Sequence, residues 1–154
     1  MVRPLIAALL AASSVACQHT AAPPPSNRDV PPVVAEYFDR LAAIYRAGSS
    51  PEDVAAFLAL MAEDVHYVHV AYEAEFDLDT WRDAFLRNQQ AGDYSEPAGF
   101  CLAITNAIPG NDHYAVEYAS GMQSDGACLP SEARRLLIVF SISDGKLMRI
   151  EELW

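Results

Sequence analysis

Residues 50–70, SPEDVAAFLALMAEDVHYVHV, change period midway, and that change decides the fold class. Ser50 is an N-cap, Pro51 suits the first helical position, and Glu52 and Asp53 put acids in the first turn. Val54, Phe57, Leu58 and Met61 then recur at helical spacing. After Glu63-Asp64 the run Val65-His66-Tyr67-Val68-His69-Val70 is β-branched and aromatic, so a strand leaves the helix almost without a loop. Upstream, Val34, Tyr37, Phe38, Leu41, Ile44 and Tyr45 form an amphipathic helix that ends at Gly48. Downstream, Asp79 and Thr80 offer caps for a third helix carrying Trp81, Phe85 and Leu86, which stops near Gly92. Strands follow at 100–108, 113–122, 134–143 and 146–154, with turns at Pro109-Gly110-Asn111-Asp112, Ser124-Asp125-Gly126 and Asp144-Gly145. The order predicts an α+β domain, three N-terminal helices packed on a curved, mostly antiparallel sheet of four to five strands.

Composition fits this. The chain has 154 residues, 52% apolar and 20% charged, which excludes disorder, collagen and coiled coil. With 21 acidic residues against 10 basic ones the net charge is −11, so neither nucleic acid nor an anionic membrane surface is an expected partner. The N-terminus reads as an address. Met1-Val2-Arg3, the apolar run Pro4 to Val15 and the small residues before Cys17 make residues 1–16 a secretory signal peptide. The run is too short for a spanning helix of about 20 residues. Ala16-Cys17 resembles the bacterial lipobox, which implies lipidation of Cys17; Gln18 carries no Asp-type retention signal. The expected location is the cell envelope, anchored in the outer membrane and facing the periplasm, with a secreted or soluble periplasmic protein as the alternative. Residues 17–32 hold five prolines and read as a tether of ~3 Å per residue. The domain then occupies residues 33–154.

If Cys17 holds lipid, Cys101 and Cys128 remain as a pair that an oxidising compartment would bond, worth ~3 kcal/mol. Two free buried thiols are the other reading.

The Ala62-Glu63-Asp64-Val65 corner and the terminal Asp144-Gly145-Lys146-Leu147-Met148-Arg149-Ile150-Glu151-Glu152-Leu153-Trp154 resemble the nuclear transport factor 2-like superfamily, in its polyketide-cyclase-like (SnoaL-like) branch. The resemblance spans about residues 33–154. It implies a cone-shaped α+β barrel with an apolar pocket between helices and sheet, a homodimer and a small apolar ligand. Its members include isomerases, cyclases and dehydratases as well as proteins without catalysis, so fold does not decide function. Aligned on the helix-to-strand corner, His69 falls where the similar ketosteroid isomerases hold their general base. Their oxyanion-stabilising Tyr falls on Leu41 and their protonated acid on about Leu137, which excludes steroid isomerisation here. His69 with Tyr67, two residues apart on one strand face, is the candidate catalytic pair, with pocket lining as the other reading of both. Trp81, Phe85, Tyr118, Phe140 and Trp154 are the other expected pocket residues.

His66 and His69 lie three apart on a strand and face opposite sides, so no metal site is expected. Glu73, Glu75, Asp77 and Asp79 alternate, but without the glycine and terminal bidentate Glu of a calcium loop they read as a solvated edge and a helix cap. Glu117 and Glu152 sit between apolar neighbours, and either fits a pocket, with solvent or a dimer interface as the default. No phosphate loop or nucleophile elbow is present, and no cofactor is expected. Three functions follow: small-molecule binding or an accessory role, a lyase, isomerase or cyclase with His69 as base, and an envelope interaction module.

Overall fold

The computed structural model describes residues 30–154. Residues 1–29, and with them the signal peptide, Cys17 and most of the tether, lie outside the described residues. Three helices, α1 (Pro32–Tyr45), α2 (Pro51–Leu58) and α3 (Leu78–Ala91), alternate with and precede seven strands: β1 (Met61–His69), β2 (Ala74–Phe76), β3 (Phe100–Pro109), β4 (His113–Ser124), β5 (Ala127–Pro130), β6 (Leu136–Ser143) and β7 (Lys146–Glu152). The sheet runs β2-β1-β7-β6-β4-β3, with β5 pairing the far end of β4. Every pairing is antiparallel except β1 with β7, which is parallel.

The three helices and the curved antiparallel sheet match the expected architecture. The sheet has more strands than the four to five expected, because β2 and β5 span three and four residues and are too short to show alternation. β1 begins at Met61 rather than Val65. Met61 follows Leu58 at a spacing that also suits a helix, but the helix stops at Leu58 and Met61 pairs with Leu147. The cap of α3 is Asp77, two residues before the expected Asp79; its carboxylate accepts from the Thr80 amide at 2.8 Å.

Local chemistry fixes the remaining ends. Ser50 and Asp53 form a reciprocal capping box at α2. Asp144 and Gly145 take φ of 50° and 75°, as the mirror-image turn between β6 and β7 requires. At Gly121 a Cβ would stand 2.1 Å from the Leu129 carbonyl oxygen, so only glycine lets β5 lie against β4. Cys101 on β3 and Cys128 on β5 are bonded, with Cα atoms 5.9 Å apart. No helix among the described residues is long and apolar enough to cross a membrane.

The core lies between α1, α2 and the inner sheet face. Val34, Tyr37, Phe38, Leu41 and Ile44 form the apolar stripe of α1, and Phe57 of α2 meets it. The rings pack mostly edge to face: Tyr37 on Phe140 at 4.9 Å and Phe57 on Trp81 at 5.3 Å.

Candidate functional site

Alternation on β1 turns Tyr67 and His69 inward, while β7 runs parallel beside it with Tyr67 opposite Ile150 and His69 opposite Glu152. That register brings Glu152 next to both. Glu152 and His69 are the buried polar or charged side chains among the described residues, 6% and 5% exposed. The Tyr67 hydroxyl donates to Glu152 Oε2 at 3.0 Å, and His69 Nε2 stands 3.5 Å from the same oxygen without forming a hydrogen bond. Tyr37 of α1 brings a second phenol toward this carboxyl. Among the described residues four buried side-chain polar atoms lack a hydrogen-bond partner: Tyr37 Oη, both ring nitrogens of His69, and Trp154 Nε1.

The electrostatics follow from burial. Removal from water pushes the Glu152 carboxyl up to about 7, against the pull of the Tyr67 and Tyr37 hydroxyls. Burial also lowers His69, and the Arg134 charge lowers it further against a backbone hydrogen bond that raises it. Burial first, and the Glu152 charge second, raises Tyr37, Tyr67 and Tyr118, so all three phenols stay neutral. Near pH 7 the site therefore holds a neutral imidazole beside a carboxyl that readily holds or gives up its proton.

The His69 ring lies between Tyr72, 4.2 Å away, and the edge of Trp154 at 4.6 Å. Arg134 covers Trp154 at 4.8 Å. On the other side of Tyr67 lies a cleft of about 280 Å³ walled by Tyr45, Tyr67, Phe76, Trp81, Phe85 and Tyr94. The Tyr67 ring stacks on Trp81 at 4.3 Å and on Phe76 at 5.7 Å, so one residue separates the cleft from the buried acid.

The expected site residues are distributed over both features. Tyr67, His69, Tyr118 and Trp154 gather around Glu152, Trp81 and Phe85 line the cleft, and Phe140 is enclosed by Tyr37 and Phe38 in the core. Glu117 points outward, accepting from Thr105 at 2.7 Å and from Arg135 at 3.2 Å. His66 faces outward onto Glu75 and Arg149, opposite to His69. Among the described residues no group of three His, Cys, Asp or Glu is placed to hold a metal ion. Tyr37 is the site residue that sequence reasoning placed only in the core. It stands one helical turn before Leu41, and a phenol in the middle of the buried stripe is its signal.

No protein-family model and no curated protein matches the chain. Solved structures do match, and they establish the nuclear transport factor 2-like fold. A candidate polyketide cyclase from Sinorhizobium meliloti is 18% identical, covers 81% of this chain and 96% of its own, and has a TM-score of 0.54. A nuclear transport factor 2-like protein of unknown function from Exiguobacterium is 14% identical over 78% of this chain and 95% of its own, with a TM-score of 0.54. A protein with a ketosteroid isomerase-like fold from Catenulispora acidiphila, solved with trimethylamine, is 20% identical over 81% and 86%, with a TM-score of 0.50. At these identities the likeness is one of fold.

Proposed function

We propose that this nuclear transport factor 2-like chain is an envelope protein, held to the membrane by lipid on Cys17, whose cone binds one small organic molecule. The observation that carries the binding is the group of unpartnered polar atoms around Glu152. Each such atom costs on the order of 1–3 kcal/mol when buried without a partner, and a guest that supplies the partners recovers this. Tyr37, Trp154 and His69 offer hydrogen-bond donors, which suits an apolar body bearing one or two acceptor oxygens. Native mass spectrometry of the gently purified chain tests this. A bound organic mass that Glu152→Ala loses is expected, and an empty chain overturns the reading.

A second reading is proton transfer, with His69 as general base and Glu152 as the acid, as in a lyase, isomerase or cyclase. It is favoured by the opposite displacements of the two groups, which leave an acid and a base side by side near neutrality. His69→Ala separates the two. In a binding protein the variant only weakens the guest's affinity, whereas in an enzyme turnover is lost even with the guest at saturation.

The Cys101–Cys128 bond supports an oxidising compartment. Cys17→Ser is expected to move the chain from the membrane to the soluble fraction on cell fractionation; a chain that stays with the membrane removes the anchor from the proposal. Exposed Ile108 and Leu137 on the outer sheet face support the homodimer, which the same native spectrum reads directly. An empty dimer would favour the envelope interaction reading.

A further inference from the structure

Beyond the buried cluster, the aromatic cleft has its own chemistry. Trp81 and Phe85 lie four residues apart on α3 and present their rings to one side, facing Tyr67 and Phe76 of β1 and β2. Tyr45 and Tyr94, with ring centres 5.5 Å apart, close the far end. A volume of about 280 Å³ walled largely by aromatic rings suits a planar guest of one or two rings.

The rim decides the charge of that guest. Arg87 and Asn88, in the turn of α3 after Phe85, line the same cleft. Among the described residues Arg87 makes no ion pair, although Asp83 stands one turn earlier on the helix; the salt bridges of α3 are confined to Arg82 with Asp79. Asp93 and Glu96 line the adjoining hollow with Tyr45, Tyr94 and Ser95, rather than this cleft. Burial raises the Tyr94 phenol, and its hydroxyl also feels Asn88 and the Asp93 and Arg87 charges. The cleft therefore has an aromatic floor, a guanidinium and an amide at its edge, and no carboxylate in its lining. An ammonium guest would meet Arg87 as a like charge. A planar carboxylate meets two N–H groups in the geometry that a guanidinium pairs best.

We infer that this cleft is a binding site for a planar aromatic carboxylate, its ring laid on the half-buried rings of Tyr45, Phe76 and Tyr94 and its carboxylate held by Arg87. The site is separate from the buried Glu152 cluster, from which Tyr67 divides it, so the two proposals fail independently. The test is calorimetric titration of the full chain with three isosteric probes: 2-naphthoate, 2-naphthylmethanol and 2-naphthylmethylammonium. The naphthoate is expected to bind about tenfold more tightly than the alcohol, with the ammonium weakest. Arg87→Gln should abolish the preference while leaving the alcohol unchanged, Arg87→Lys should restore part of it, and Glu152→Gln should leave it intact. Equal binding of the three probes, a preference for the ammonium, a preference that survives Arg87→Gln, or no binding at all overturns the inference. A guest mass lost only in Glu152→Ala would still stand as binding in the cone.

Discussion

Replacing Glu152 with Gln is expected to raise the melting temperature by roughly 10 °C at pH 8 and by only roughly 2 °C at pH 5. The carboxyl titrates at about 7 when folded and near its ordinary 4.5 when unfolded. Between those two values the folded state holds the proton more tightly. The stability that Glu152 contributes is therefore greatest below about pH 4.5, falls as pH rises toward 7, and is flat above, a loss of about 3 kcal/mol. Gln carries no charge at any pH and escapes that loss. His69 acts in the reverse sense, because a lowered pKa removes stability as pH falls below 6.5. His69 stands 3.5 Å from the carboxyl, so the difference between the two pH curves reports Glu152 together with its coupling to His69. Tyr37, Tyr67 and Tyr118 stay neutral throughout and add no slope. Thermal denaturation from pH 4.5 to 8.5 checks the expectation. A variant less stable than the parent at pH 8 would mean that the carboxylate is ionised and paired, and the neutral-acid role would be lost.

Replacing Cys101 and Cys128 together with Ala is expected to cost about 3 kcal/mol and to lower the melting temperature by roughly 10 °C. The bond closes a loop across a sequence separation of 27 residues, and the entropy it removes from the unfolded chain sets this size. It also ties β5, which pairs only with β4, to β3. β3 lies three strands from β7 across the sheet, about 14 Å at ordinary strand spacing, so the double replacement and Glu152→Gln should be additive within a few tenths of a kcal/mol. Reduction of the parent chain should reproduce the loss. An unchanged melting temperature would show that β5 is held by its hydrogen bonds and by packing alone.

What could be read from the sequence was local. The capping box at Ser50, the stripe from Val34 to Tyr45 and the turn at Asp144-Gly145 each carry their own short-range chemistry, and each stands where its pattern puts it. Asp77 was missed as a cap because Asp79 and Thr80 also suit that position; which oxygen meets which amide is settled by backbone path. The candidate site was half legible. Alternation put Tyr67 and His69 on one face, but it left Glu152 free to face solvent or core, since Ile150 and Trp154 flank it either way. The parallel register of β7 on β1 resolves this, and no short window of sequence contains that pairing. Tyr37 was hidden for a related reason, since an apolar stripe records that a residue is inside and not what its hydroxyl meets.

The same parallel pairing sets an order in time. β1 is made early and β7 last, yet they are neighbours in the middle of the sheet. Until β3 to β7 are in place, β1 has only the three-residue β2 beside it, and the aromatic faces of α1, α2 and α3 have no complete sheet to cover them. Such a half-made cone is sticky and slow to finish, since long-range strand pairing has to wait for a large loop to close. The cone is thus unable to close until β7 has been made.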